Sequence, residues 1–349
     1  MTKAIKENCV FFAINDGYVF ALANVLMSMK KYSAGTLSSS DIIIYHTDIT
    51  PYNQNLLTQI WPEIEFCKIN ISDKLSVMLK NEMVMKWGVF IIVKLFGFEL
   101  IKKYKKVLHL DADLLIQDDI SYLFKLNADM AWRKVLAWNP GRIMNHCLVS
   151  KKDYISAPSG GVILFSNTIL KYQITEDDII DAFYKIEDCK IGGIDELIFG
   201  YLAYKYKMNI EELPITYNDP VYHGITYDEL LKSKIIHFLD YRDNTTKPWK
   251  SLAAYLFFEE WRENNIAFEK IGGSSTFGFN KKDYYNLFSF DKIKMIAIQK
   301  EKIRKLESEI KEKELEILDL KKDLKNKSLK QLLKDFLSNY FINKPNNKK

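Results

Sequence analysis

The sequence predicts an α/β fold, a mostly parallel sheet with helices on both faces, followed by a helical extension. Three observations carry this reading. Short apolar runs of strand length alternate with helical stretches from Val10 to Glu263. One run, Lys106-Val107-Leu108-His109-Leu110-Asp111-Ala112-Asp113-Leu114-Leu115-Ile116, passes without a break into two carboxylates separated by one residue. From Ile296 the pattern changes, because Ile296, Ile303, Ile310, Ile317 and Leu324 recur every seven residues with Leu306 and Leu320 between them, the seam of a coiled coil.

The elements follow in chain order. Val10 to Ile14 has the apolar content of a first buried strand, and Gly17 to Tyr32 reads as a helix capped by Asn15 or Asp16. Asp41 to His46 is a second strand, Pro51 to Trp61 a helix with proline at its start, and Ile64 to Ile69 a third strand. A helix over Phe90 to Lys103 feeds the Asp-x-Asp strand. Val135 to Trp138, Gly161 to Phe165 and Ile235 to Phe238 read as further strands. Glu176 to Ile186, Asp195 to Tyr206 and Ser251 to Glu263 read as helices, and Gly272-Gly273-Ser274-Ser275 as a flexible break. The expected organisation is an α/β domain over 1–265, a linker over 266–290, a coiled coil over 291–327 and a basic amphipathic tail over 328–349.

Composition bounds the function. A chain of 349 residues with 48% hydrophobic and 27% charged residues is globular and long enough for a large core. Residues 291–349 hold 17 Lys and Arg against 10 Asp and Glu, while the rest holds 33 against 35, so the basic excess belongs to the tail. That argues against a nucleic-acid cleft in the body. Cys9, Cys67, Cys147 and Cys189 form no C-x-x-C pair, so neither a zinc site nor a redox motif is indicated, and a reducing cytoplasm fits them best. The N-terminus shows no signal-peptide h-region, and the run Val89 to Ile101 is broken by Lys94 and Glu99, so no secretion signal or spanning helix is expected.

Asp111 and Asp113 end a strand, and in open α/β sheets the strand carboxyl ends face the ligand crevice. Two carboxylates there suit a hard divalent cation that keeps open positions for phosphate oxygens. An acidic turn exposed to solvent is the structural alternative.

Several stretches taken together carry a resemblance. FFAINDGYVFALANVLMSM (11–29), KLFGFELI (94–101), KVLHLDADLLI (106–116), SGGVILFSN (159–167), GGIDELIFGYL (192–202) and the pairing of Ile235-Ile236-His237-Phe238 with Lys247-Pro248-Trp249 resemble glycosyltransferase family 8, the glycogenin and lipopolysaccharide galactosyl- or glucosyltransferase relatives. The resemblance implies a GT-A fold over about Val10 to Trp249 and does not cover the tail. It also implies a UDP-sugar donor and Mn²⁺ (or Mg²⁺) held by Asp111, Asp113 and His237, with Ala112 inside the motif and Lys247 on the diphosphate. Uracil would lie against Ala13, Asn15 and Tyr18, and the donor sugar against Lys94, Ser159 and Gly160. Asp195 and Glu196 would stand near the reacting carbon, as catalytic candidates or as the acidic first turn of a helix.

The sequence departs from the family pattern at four places. Lys94 replaces an arginine, Ser159 an asparagine-type side chain, and Glu196 a glutamine. The stretch from His237 to Lys247 is four residues longer than usual and lacks its glycine, with Arg242 as a substitute phosphate contact. The expected activity is Mn²⁺-dependent, configuration-retaining transfer of a hexose to a saccharide, lipopolysaccharide or lipooligosaccharide acceptor. The competing expectation is a degenerate coiled-coil assembly protein that binds nucleotide sugar without transferring it. Gln299, Lys313 and Lys327 interrupt the heptad seam, so the expected self-association is weak. Leu329, Leu332, Leu333, Phe336, Leu337, Tyr340 and Phe341 form an apolar stripe flanked by lysines, which fits a cytoplasmic protein held peripherally on an anionic membrane face.

Overall fold

A computed structural model describes residues 5–134, 158–186, 193–221, 230, 232–239, 247–278, 309–318, 330–331 and 333–334. The described strands are β1 (Lys6–Ile14), β2 (Asp41–His46), β3 (Ile64–Lys68), β4 (Tyr104–Leu110), β5 (Leu114–Ile116), β6 (Met130–Lys134), β7 (Pro158–Ser166), β8 (Ile210–Glu212), β9 (Asp219–Pro220) and β10 (Ile235–His237). They build a large sheet in the order β3-β2-β1-β4-β7-β6-β8 and a small one in the order β5-β10-β9.

β1 forms because Cys9, Val10, Phe11 and Phe12 are wholly buried on both faces, as a central parallel strand requires. It pairs in parallel with β2 and β4, and β2 with β3. β7 then runs antiparallel to both β4 and β6, while β6 and β8 are parallel. Phe11, Val107, Trp132, Phe165 and Phe199 share one core with Phe98, whose ring meets Phe165 edge-on at 5.6 Å. Gly97 sits under the Phe165 ring, where a β-carbon would collide with it. The helix Val19–Leu37 buries Leu22, Leu26 and Met29 completely.

Several sequence expectations are corrected. Neither Asn15 nor Asp16 caps the first helix. Asp16 instead accepts from the Thr50 backbone at 2.9 Å and from Asn53 Nδ2 at 2.8 Å, tying β1 to the next helix. The stretch Phe90 to Lys103 is not one helix but Phe90–Val93, a 3₁₀ turn at Lys94–Phe96 and Gly97–Leu100, with Tyr104 already in β4. The described strand near the expected Val135–Trp138 is Met130–Lys134, and 135–138 lie outside the described residues. The helix expected from Ser251 to Glu263 is two, Leu252–Phe257 and Glu259–Lys270, bent at Phe258. The second helix runs through the first five residues assigned to the linker. Gly272, at φ +100°, ends it in a tight turn rather than a loose break, and Tyr52 donates to its carbonyl at 2.9 Å.

The chain divides into a unit over Met1–Asn286 and one over Leu287–Lys349. In the second, residues 309–318 are helical, with Lys313 paired to Glu316 at 2.7 Å and the heptad residues Ile310 and Ile317 exposed. The rest of the heptad region and nearly all of the apolar tail stripe lie outside the described residues. Among the described residues no helix is long and apolar enough to cross a membrane.

Asp129 anchors the edge where β6, β7 and β8 meet. Buried at its position, it accepts from Thr168 Oγ1 (2.6 Å), Tyr172 OH (2.8 Å), the Asn209 N–H (2.9 Å) and Lys171 Nζ (3.0 Å). Burial alone would raise its pKa, but these bonds outweigh it and hold the carboxyl at about 2, below its ordinary 3.8. Its stabilising contribution is therefore complete above pH 3.8 and is lost as pH falls toward 2. Asp129→Ala should lower the unfolding free energy by about 2 kcal/mol at neutral pH, since four hydrogen bonds onto a buried carboxylate are lost while their exposed or half-buried donors can turn to water. Urea unfolding at several pH values checks this, with the gap from the unsubstituted protein narrowing in acid. An unchanged midpoint at neutral pH would contradict the anchoring role.

Candidate active site

The site assembles because two strands run against the main direction. β7 is antiparallel to β4, so its first residues meet the last residues of β4, with Leu110 opposite Val162 and the Asp111 N–H bonded to the Gly161 carbonyl at 2.9 Å. β10 is antiparallel to β5, so its last residue, His237, stands opposite Leu114 at the start of β5. The Phe238 N–H closes the corner on the Asp113 carbonyl at 2.9 Å. These two registers bring Asp111, Asp113, Gly161 and His237 to one point.

His237 Nε2 lies 3.2 Å from Asp113 Oδ1 and 3.8 Å from Asp111 Oδ2. One ligand atom from each of Asp111, Asp113 and His237 falls within 4.8 Å of the others. Two hard carboxylate oxygens and one imidazole nitrogen at this spacing fit a divalent cation such as Mn²⁺ or Mg²⁺ with open positions for a substrate. Each carboxylate also has a lysine. Lys94 Nζ reaches Asp111 at 3.0 Å, Asp195 at 3.5 Å and the Gly160 carbonyl at 3.1 Å, and Lys247 Nζ reaches Asp113 at 2.8 Å.

The electrostatics follow from these contacts. Burial would raise both aspartates, but Lys94 with His109 holds Asp111, and Lys247 with His237 holds Asp113, well below the usual carboxylate range. Lys94 is raised in turn, since the attraction of Asp111 and Asp195 outweighs its burial. Both aspartates are therefore anionic near neutrality and ready to act as ligands.

On the helix Ile194–Lys205, Glu196 is the third residue. Its Oε2 accepts from the Gly193 N–H at the helix start at 3.3 Å, and its Oε1 accepts from the Gly160 N–H at 2.8 Å. The carboxyl thus caps its own helix and also clamps β7. Burial and the neighbouring Asp195 push its pKa up to about 7 against the opposing Gly160 and Lys94 contacts. The helical-turn and site readings of Glu196 describe one side chain.

Ser159 is buried, and Gly160 packs so closely that a β-carbon would stand 2.9 Å from Lys94 Nζ and 3.1 Å from Asp195 Oδ2. Ala112 is buried between the two aspartates. The β1 group lies off to one side. Ala13 is half-buried at the end of β1, Asn15 Oδ1 is buried with no partner among the described residues, and Tyr18 remains 38% exposed. The Tyr18 ring packs on Phe20 and meets the edge of Trp249 at 6.4 Å, and the Trp249 face carries Lys247 Nζ at 5.2 Å. A continuous line therefore runs from the Tyr18 ring through Trp249 and Lys247 to Asp113. Arg242 lies outside the described residues.

Two polar residues of the site were not anticipated. His109, buried on β4 and packed on Phe11 at 4.8 Å, holds Asp111 Oδ1 through Nε2 at 3.0 Å, and burial lowers its pKa. Asn218, wholly buried, contacts His237 Nδ1 at 2.8 Å. His109 was open to sequence reasoning as a polar interruption in an apolar strand two residues before a carboxylate. Asn218 had no such signal.

A GT-A architecture with a two-carboxylate, one-histidine centre defines the class. The family profile described as glycosyl transferase family 8 matches residues 9–253, and the chain belongs to that family. Among solved structures, galactosyltransferase LgtC in complex with donor and acceptor sugar analogs is similar at TM-score 0.53 and 14% identity, covering 73% of this chain and 95% of that one. An active-site mutant of LgtC is similar at TM-score 0.54 and 15% identity, over 73% and 99%. The bifunctional glycosyltransferase WbbM, in its apo form, matches at TM-score 0.54 and 14% identity over 76% of this chain but only 51% of its own, so the present chain spans about half of WbbM. At these identities the likeness speaks for the fold. No curated protein matches the chain.

Proposed function

We propose that this glycosyltransferase moves a hexose from a UDP-sugar to a saccharide acceptor, with retention of configuration and with Mn²⁺ as the preferred cation. The convergence of Asp111, Asp113 and His237, flanked by Lys94 and Lys247, supports this reading above all. Such a centre suits a diphosphate leaving group. The cation, when bound, supplies positive charge where negative charge grows on the departing phosphates. Lys247 adds a second positive charge on the same side. Tyr18, joined to Lys247 through Trp249, offers an exposed aromatic face for the base.

The sugar would then lie over Ser159 and Gly160, with the Glu196 carboxylate near its anomeric carbon. There it stabilises positive charge or serves as nucleophile. UDP release from a panel of UDP-sugars with Mn²⁺, with and without a glycolipid fraction, tests the proposal. Glu196→Gln belongs in the same assay, because the amide removes the charge while keeping one acceptor oxygen for Gly160, at the cost of the longer contact from the Gly193 N–H. Turnover should fall about tenfold or more with donor affinity unchanged, which marks a group acting in the transition state. Unchanged turnover would leave Glu196 as a helix cap. Donor binding without UDP release under any condition would favour a nucleotide-sugar-binding protein without transferase activity.

A further inference from the structure

The one metal-directed imidazole of the site is gripped from behind. Asn218 is wholly buried, and its Oδ1 lies 2.8 Å from His237 Nδ1 while its Nδ2 donates to the Ser159 carbonyl at 3.0 Å. The second bond fixes the orientation of the amide, because a carbonyl can only accept and must therefore face the NH₂ end. The oxygen is then turned to the histidine. An amide oxygen only accepts, so His237 must carry a proton on Nδ1, which leaves Nε2, the nitrogen 3.2 Å from Asp113, as the atom that faces either that carboxylate or a cation bound beside it.

Three separate constraints hold Asn218 in this pose. Its own N–H bonds to the Ile215 carbonyl at 3.0 Å, closing the 3₁₀ turn Ile215–Tyr217. The next residues, β9, pair with β10, placing Pro220 opposite His237. The Val221 N–H bonds the His237 carbonyl at 3.0 Å. Gly161 packs against the ring beside this hydrogen bond so closely that a β-carbon there would collide with Cε1 and Nδ1 and stand 3.2 Å from Asn218 Oδ1. Backbone and side chain of His237 are thus both gripped by the segment 218–221.

We infer that Asn218 is a positioning residue that holds the His237 ring through its Nδ1–H and so aims Nε2 at the metal position between Asp111 and Asp113. Through the Ser159 carbonyl it also ties that ring to the strand assigned to the donor sugar. The inference deepens the proposed function and rests on its reading of His237 as a metal ligand. Partners of this kind, one shell out from the metal, are worth 10- to 100-fold in metal affinity.

The test begins on the metal-free protein. In the long-range ¹H–¹⁵N spectrum of ¹⁵N-histidine-labelled protein, with the His237 signals assigned by their loss in His237→Gln, Nδ1 should appear protonated, and added Mg²⁺ should leave that proton in place. Asn218→Leu, close in size but without an acceptor, should lose the fixed Nδ1 proton and weaken Mn²⁺ binding by about 10- to 100-fold in calorimetry. Asn218→Asp keeps an acceptor for the ring and should retain the Nδ1 proton and bind Mn²⁺ more tightly than Asn218→Leu. An unprotonated Nδ1 in the unsubstituted protein overturns the inference without reference to any variant, as does an unchanged spectrum and Mn²⁺ affinity in a folded Asn218→Leu. A protein with the Nδ1 proton that binds neither Mn²⁺ nor Mg²⁺ would instead overturn the metal reading of His237, separating the two failures.

Discussion

On the proposed function, Asp111→Asn, Asp113→Asn and His237→Gln should each reduce Mn²⁺-dependent transfer by about a thousandfold or more, roughly 4 kcal/mol of transition-state stabilisation. Each replaces one of three side chains whose ligand atoms stand within 4.8 Å of each other by a neutral amide, a weaker ligand for a hard divalent cation. The losses should appear in metal binding and UDP binding together, because one centre would serve both. Calorimetry with Mn²⁺, alone and with UDP, beside initial rates of UDP release checks this. Near-normal rates in any one variant at low Mn²⁺ would remove that residue from the ligand set. His237→Gln also loses the ring gripped by Asn218, so its thermal unfolding should fall furthest of the three.

Gly161→Ala should come close to the same loss without replacing a ligand. The added methyl points at Cε1 and Nδ1 of His237 and also crowds the Asn218 oxygen that holds Nδ1, so the ring can move only by giving up that hydrogen bond. Either the ring leaves the metal position or β7 moves away from β4, and overpacking of this kind costs about 1–3 kcal/mol. Transfer should drop at least about a hundredfold, in line with the loss of a correctly placed ligand. Gly160→Ala provides the contrast. Its methyl would meet the far end of Lys94, which yields by rotation, so only a several-fold effect is expected. If rates for the two alanine variants were equal, the fixed position of the His237 ring would not be what makes Gly161 necessary.

Much of this was legible in the chain. The alternation of apolar strands and helices through Ile69 located β2 and β3 nearly to the residue and the buried half of β1, whose polar start at Lys6-Glu7-Asn8 carries no strand signal. The Asp-x-Asp strand was legible because two carboxylates close an apolar run, whereas His237 was reached only through the resemblance to a family. The helix over Phe90 to Lys103 failed for a tertiary reason. Gly97 must pass beneath the Phe165 ring, and the apolar run around it records burial rather than a continuous helix. The helix cap failed because Asp16 bonds to Thr50 and Asn53, partners more than thirty residues away. Asn218 was invisible for the same cause. Its meaning lies in two contacts, 19 residues ahead to His237 and 59 residues back to Ser159, and no local pattern encodes either.

The reversed strands also govern when the site comes into being. A chain made from its N-terminal end places Asp111 and Asp113 side by side early, at the end of a parallel half-sheet that is already nearly whole. Gly161, Asn218, His237 and finally Lys247, which is 134 residues beyond its partner Asp113, arrive afterwards and close on them from the other direction. Until the last of these contacts forms, the carboxylates stand close together with part of their compensating charge still unmade, a configuration that like-charge repulsion disfavours. Closing so long a loop is entropically costly, and the ion pairs at its end return part of that cost. On the proposed function, capture of a divalent cation would in this sense be a late event of folding, since a complete set of ligands exists only once both sheets have closed.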